Sequence, residues 1–319
     1  MQNFKQDVID LFTYARGGHV DHWLFSDTLR NKMTGSELWH AFLKACKAYY
    51  VLDNEIKIIR QNKHHFGRIF EDVNTLVDLG VGEIAAIENK VIPLLRELRN
   101  VRTYQGVDLS SDFLQVAENR LKSKFPALNV ENVHADFYKH KIQFEGQKRL
   151  GLMLGLTITN QEMKEGQKFP RDEFIQRLGI HRKNIGNDND MLISHDANAN
   201  IAQVMASYRN KFWARHVTGI MYDVQKIADG DFSAKDWMYK AVWNADAHVI
   251  HQCAVATRSQ DFEIDEQVFS VKSGQRFVTV NNFKIPRRQF TGLCHDAGFR
   301  VKKGYGDNGN KVFIQHLVA

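Results

Sequence analysis

A doubly wound α/β domain joined to a second, α+β lobe is the fold class this sequence predicts, on three observations. Five short apolar runs between residues 75 and 195 alternate with helical stretches, as in a parallel sheet covered on both faces. The first 72 residues read as helical, and no proline occurs before Pro93. Between the fifth run and the last two, over about residues 199–280, the alternation gives way to a helix and hairpins.

In chain order, Ser36 is expected to cap a helix carrying Leu38, Trp39, Phe42, Leu43, Cys46, Tyr49 and Tyr50 at helical spacing. Asp53 is expected to cap the next, with Ile56, Ile59, Phe66 and Phe70 on its inner stripe. Thr75–Leu79 reads as a strand ending in Gly80-Val81-Gly82, and Thr103–Leu109 as a second. Ser110 or Ser111 then caps a helix with Phe113, Ala117, Leu121 and Phe125 in line. Asn129–Ala135, Arg149–Leu156 and Met191–His195 supply three further strands. The interrupting segment holds one long helix, marked by Ile201, Val204, Met205, Tyr208 and Phe212. Two hairpins follow, turning at Asn244-Ala245-Asp246 and at Ser273-Gly274. The chain closes with a helix over Arg287–Ala297 and an antiparallel pair, Phe299–Gly304 and Lys311–Leu317, around Asp307-Asn308-Gly309. Residues 1–57 and 199–280 are thus expected to form one lobe, and 58–198 with 281–319 the sheet domain.

Composition narrows the function classes. Of 319 residues, 43% are apolar and 25% charged, which excludes a disordered or fibrous chain. The longest apolar-rich run, Leu150–Ile158, falls far short of the ~20 residues that span a bilayer, so no membrane association is expected. Three well-separated cysteines, Cys46, Cys253 and Cys294, and the lack of an export signal point to the cytoplasm. The net charge of +6 is dispersed and reads as a mildly basic surface. No metal site is expected, because His248 and His251 stand three apart on an apparent strand and so point to opposite faces. Cys-x-x-Cys, the P-loop and the nucleophile elbow are all absent.

The chemistry is expected at the carboxyl ends of the strands. Gly80 and Gly82 let the backbone approach a ligand there, and Asp108 at the end of the second strand can accept both ribose hydroxyls of an adenosine. Gly80-Val81-Gly82-Glu83-Ile84-Ala85 also fits the looser dinucleotide pattern, which keeps a nicotinamide (NAD) oxidoreductase open as an alternative. Asp78 before the glycines, Asp136-Phe137 after the third strand and the closing hairpin instead resemble the S-adenosylmethionine-dependent methyltransferases. That resemblance implies a Rossmann-like methyltransferase sheet ending in an antiparallel hairpin. It makes S-adenosylmethionine the cofactor and S-adenosylhomocysteine the product, held by Asp78, Gly80, Gly82, Asp108, Asp136 and Phe137.

A series of ordered pieces resembles one narrower family, the histidine Nα-methyltransferases of ergothioneine biosynthesis. The pieces are Gly35-Ser36-Glu37-Leu38-Trp39, Tyr49-Tyr50 with Glu55, Val77-Asp78-Leu79-Gly80-Val81-Gly82 and Gly106-Val107-Asp108-Leu109-Ser110. Further on come Phe125-Pro126 with Ala135-Asp136-Phe137, Leu154-Gly155-Leu156-Thr157-Ile158-Thr159-Asn160, His195-Asp196-Ala197, Trp243-Asn244, Asn281-Asn282-Phe283-Lys284 and Ala297-Gly298-Phe299. The resemblance implies that Tyr49, Asn160 and Tyr208 hold the amine and carboxylate of an amino acid and are the catalytic positions. Asn160 follows the fourth strand, and its amide can accept from an amine and donate to a carboxylate.

Two departures stand out. The family's glycine loop continues to a lysine, and that position is Ala86 here. The glutamate and serine that recognise imidazole fall, counting from Trp243, on His251 and Cys253, which by alternation share a strand face and can line the acceptor site. Thr159-Asn160-Gln161 also lacks the Asn/Asp-Pro-Pro-aromatic signature of nucleic-acid amino-methyltransferases, so no nucleic-acid partner is expected. The reading is therefore a cytoplasmic N-methyltransferase of secondary metabolism, monomer or homodimer. Its acceptor is an amino acid or amino-acid-like small molecule other than free histidine. A non-catalytic S-adenosylmethionine-binding module is a further alternative, suggested by Ala86.

Overall fold

The computed structural model describes residues 2–14, 16–17, 26–27, 33–138, 142–164 and 166–319. Its longer elements run α1 (Gln2–Tyr14), α2 (Gly35–Ala45), α3 (Val51–Ile69), β1 (Thr75–Leu79), β2 (Thr103–Asp108), α4 (Ser111–Lys124), β3 (Asn129–His134), β4 (Arg149–Met153), α5 (Arg171–Ile185) and β5 (Asp190–Asp196). They continue with α6 (Ile201–Ser207), α7 (Lys211–Val224), β6 (Trp237–Asn244), β7 (Val249–Ala256), β8 (Gln260–Ile264), β9 (Gln267–Val271), β10 (Arg276–Phe283), α8 (Arg287–Asp296), β11 (Arg300–Gly306) and β12 (Val312–Val318).

The chain divides into two compact units: Met1–Tyr49, Thr159–Pro170 and Asn200–Lys284 in one, and Tyr50–Ile158, Arg171–Ala199 and Ile285–Ala319 in the other. The first boundary falls before α3 rather than at residue 57. The reason is that the start of α3 is tied to the sheet unit as well, with Tyr50 packed against the core that holds Leu76, Leu150 and Ile314 and Glu55 bonded to Lys90 and Gly155.

The sheet unit has seven strands in the order β11-β12-β5-β4-β1-β2-β3. β1 pairs in parallel with β2 and β4, which makes it the point where the strand order reverses. β12 runs antiparallel to both β5 and β11. This is the doubly wound sheet with a closing antiparallel hairpin that the apolar runs predict. The hairpin turn itself differs. Instead of a tight Asn-Gly turn, residues 307–311 form a longer loop in which the Asp307 carboxylate accepts from Gly309 N, Lys311 N and Val312 N. The left-handed residue is Asn310, not Gly309.

The inserted unit contains the three-stranded antiparallel sheet β6-β7-β10 and a second sheet in which β8 pairs with β9. All eight residues of β7 are buried, so both faces of that strand are covered. Opposite it, Gln252 pairs with Val280 but Cys253 with Val278, leaving Thr279 as the extra residue of a bulge.

Several local expectations are corrected. α2 is capped by Thr34 in a capping box with Glu37, not by Ser36, and it ends at Ala45, leaving Tyr49 and Tyr50 outside. Asp53 lies inside the first turn of α3. The expected long helix is two, because Asn210 accepts from Phe212 N and starts α7 afresh, which puts Tyr208 at the end of α6 rather than on a helical stripe. The second hairpin turns at Asp265-Glu266, both left-handed, since β9 pairs with β8 and β10 with β7. His248 sits in a turn at φ 51° rather than on a strand.

Candidate active site

The sheet unit presents the expected donor residues on its parallel strand ends. Gly80 and Gly82 have φ of 86° and 69°, values that disfavour any residue with a Cβ. A Cβ on Gly80 would also stand 3.0 Å from the Thr157 hydroxyl oxygen. Asp108 ties this turn to β2: its Oδ2 accepts from Gly82 N at 3.1 Å and its Oδ1 from Ser110 N at 2.9 Å. A carboxylate has only acceptor sites to offer a vicinal diol, and its place beside the two left-handed glycines fits a nucleoside. Burial raises the pKa of Asp108 against these backbone hydrogen bonds. Asp78 is 3% exposed and accepts from the Tyr104 hydroxyl at 2.8 Å. Burial pushes its pKa up to about 7, opposed by Tyr104 and the Lys90 charge. The Asp136 carboxylate accepts from Tyr138 N at 2.9 Å. Phe137, expected to offer a ring face, is drawn into a buried group with Tyr138 and His181, at centroid distances of 4.8 and 5.7 Å.

The sheet unit also contains supports that sequence reasoning missed. Glu55 is fully buried, accepting from Lys90 Nζ at 2.9 Å and from Gly155 N at 2.7 Å. Lys90 lies on a π-helical turn, Ile87–Val91, four positions past Ala86. Ser194 Oγ accepts from Leu156 N, and Leu156 is held at φ 64°. These contacts fix the backbone that follows β4 in a conformation that costs a non-glycine residue about 1–2 kcal/mol. The Tyr49-Tyr50/Glu55 piece was the one signal that could have flagged Glu55.

The inserted unit brings Tyr49 and Tyr208 together, with ring centroids 6.0 Å apart, and walls them with Phe42 and Trp213. Lys284, 3% exposed, places Nζ 3.4 Å from the Tyr208 hydroxyl. Asn160 is exposed, and its Oδ1 accepts from Asn282 Nδ2 at 3.0 Å. Asn282 in turn accepts from Gln252, whose amide oxygen takes hydrogen bonds from Trp213 and Tyr239. Gln252, Tyr239 and Asn282 carry no motif, and only tertiary register gathers them.

His251 and Cys253 are not brought to this group. They share a face of β7 as expected, but it is the face opposite Gln252. The His251 ring bonds Asn281 Oδ1 at 2.7 Å, and Cys253 packs with Val255 and Val278. Among the described residues no three His, Cys, Asp or Glu gather as a metal site, and no helix is long and apolar enough to cross a membrane.

A family model for histidine-specific, SAM-dependent methyltransferases matches residues 4–319. The N-methyltransferase imqF of Aspergillus flavus is 23% identical over 272 residues, which cover 81% of this chain and 71% of that protein. The N-methyltransferase fsqC of Aspergillus fumigatus is 19% identical over 273 residues, covering 83% and 71% respectively. Among solved structures, an S-adenosylmethionine-dependent methyltransferase from Clostridium acetobutylicum overlaps 88% of this chain and 96% of its own, at 11% identity and a TM-score of 0.46.

Proposed function

The chain belongs to the histidine-specific, SAM-dependent methyltransferase family, and from that premise we propose that it methylates the amine nitrogen of an amino acid or amino-acid-like small molecule other than free histidine. Family membership makes it an S-adenosylmethionine-dependent methyltransferase and sets aside the nicotinamide alternative. The observation that carries the choice of nitrogen is the whole-length family match together with two fungal relatives named as N-methyltransferases. The acceptor-side reading is supported by Lys284, whose buried ammonium beside Tyr208 suits a carboxylate-bearing molecule. The exclusion of histidine is supported by β6, β7 and β10, which carry no Asp or Glu that could bind an imidazolium.

S-adenosylmethionine supplies a methyl group on a sulfonium, and the chain's own residues have to bind and orient. Asp108 would take the ribose hydroxyls, Gly80 and Gly82 would admit the ligand close to backbone, and Asp136 would meet the adenine amine. Tyr49, Asn160 and Tyr208 would hold the acceptor, with the Asn160 oxygen taking an N–H so that the nitrogen lone pair is left to attack. Direct displacement needs little acid–base help once the amine is neutral. Alignment of this kind contributes roughly 7–11 kcal/mol in favourable cases. The three cysteines are buried and joined by no disulfide, which supports a reducing, cytoplasmic setting.

The test is to incubate the protein with methyl-labelled S-adenosylmethionine and a panel of free amino acids and related amines, reading the label by mass spectrometry. The expected result is label on nitrogen of an acceptor other than histidine. Label on free histidine, or on oxygen throughout the panel, would overturn the reading.

A further inference from the structure

We infer that the Trp213 indole, acting through Gln252 and Asn282, dictates which end of the Asn160 amide faces the acceptor. The inference deepens the amine-methylation reading and rests on it. An indole N–H can only donate, so the Gln252 atom 3.1 Å from Trp213 Nε1 is the amide oxygen. The Tyr239 hydroxyl donates to the same oxygen at 2.6 Å, which uses both of its lone pairs. Gln252 is fully buried, so no solvent can relax this polarity.

The rest follows link by link. Gln252 Nε2 has to donate, and it does so to Asn282 Oδ1 at 2.7 Å. Asn282 then has only its Nδ2 to offer onward, and it donates to Asn160 Oδ1 at 3.0 Å. A reversed Asn160 would set N–H against N–H in a partly buried place, a conflict that biases the amide about tenfold or more. The result is an Asn160 whose Oδ1 keeps one lone pair for a substrate N–H while Nδ2 stands on the other side for a carboxylate oxygen. A fixed acceptor for the amine N–H is what aims the nitrogen lone pair. Gln252, with every polar atom engaged inside the protein, is therefore a positioning residue and does not touch the substrate.

Two variants reverse the chain at different links. In Gln252→Glu an acceptor oxygen replaces Nε2, so Asn282 has to turn round and Asn160 with it. In Asn282→Asp an acceptor oxygen faces Asn160 directly while the bond from Gln252 survives. Gln252→Leu only releases Asn282 and imposes no orientation. We expect kcat to fall about tenfold or more in both reversing variants, less in Gln252→Leu, with S-adenosylhomocysteine affinity unchanged in all three.

The second readout needs no turnover. In nitrogen-15 spectra of the selectively labelled protein, the Asn160 side-chain amide should shift in both reversing variants while the Trp213 indole N–H of Asn282→Asp keeps its wild-type position. If the Asn160 resonance does not move, or if both reversing variants keep wild-type kcat, the relay is overturned while amine methylation stands. A wild type that methylates no amine sinks the functional reading, and the Asn160 resonance still decides whether the relay exists.

Discussion

The two units of this chain build their candidate sites from different materials. The sheet unit uses backbone and charge: two left-handed glycines, Asp108 bonded to two main-chain N–H groups, and the Glu55–Lys90 pair clamping Gly155 N. The inserted unit uses side-chain amides and aromatic rings, with Gln252, Asn282 and Asn160 in one chain beside Tyr49, Tyr208 and Trp213. In the first, the glycine turn and its contact with Asp108 come from two neighbouring strand ends, and only the Glu55–Gly155 contact reaches across 100 positions. The second depends on contacts between residues more than a hundred positions apart, such as Asn160 and Asn282. Under the proposed function, acceptor chemistry would change by substitutions scattered through the insertion while the donor end stays as it is.

Breaking the buried charge pair should give the largest effect. Lys90→Met leaves the Glu55 carboxyl buried without its cation, and should cost about 3–5 kcal/mol in denaturant unfolding. Combining it with Glu55→Gln should recover much of that loss. An additive pair would show that the clamp is not a unit.

Gly80→Ala sharpens the contrast on the backbone side. The new Cβ meets the Thr157 hydroxyl and forces an unfavourable φ, at about 1–2 kcal/mol. Calorimetry should show weaker S-adenosylhomocysteine binding, with acceptor KM unmoved.

Titration probes the sheet unit by itself, since Asp78, His181 and His195 all lie in it. His181 and His195 of the sheet unit are fully buried with both ring nitrogens unpartnered, and burial first, then Arg177 and Arg287 respectively, lowers each pKa to about 3. A depressed histidine stabilises the fold above its unfolded pKa of 6.5, and that contribution is lost as pH falls from 6.5 toward 3. Asp78 runs the other way: raised from 3.8 to about 7, it favours the fold below pH 3.8 and loses that contribution as pH rises through 7. Thermal melts across this range should therefore show a shallower acid loss in His195→Leu and a shallower loss toward neutrality in Asp78→Asn. The smallest effect is expected from Cys253→Ala, which should leave acceptor KM unchanged where Tyr208→Phe raises it. A Cys253 variant that alters acceptor preference would put both faces of β7 in the site.

The same contrast explains what could be read in the residues. The strand runs, the doubly wound sheet with its closing antiparallel pair and the glycine turn were legible because punctuation and apolar runs act locally. Tyr208 was misplaced onto a helical stripe because Asn210, a cap inside an apolar pattern, restarts the helix. His251 and Cys253 were rightly put on one strand face, but periodicity cannot say which face of a doubly buried strand meets a ligand. Gln252 and Lys90 carry no local signal, since a buried amide or ammonium is tolerated only through partners that the fold supplies.

The most direct measurement is calorimetric titration of S-adenosylhomocysteine into the wild type, Asp108→Ala and Asn160→Ala. The account predicts tight binding to the wild type, about a hundredfold or greater loss in Asp108→Ala, where charge-assisted hydrogen bonds are removed, and wild-type affinity in Asn160→Ala. Equal loss in both variants, or retention in Asp108→Ala, would contradict the division of labour between the two units.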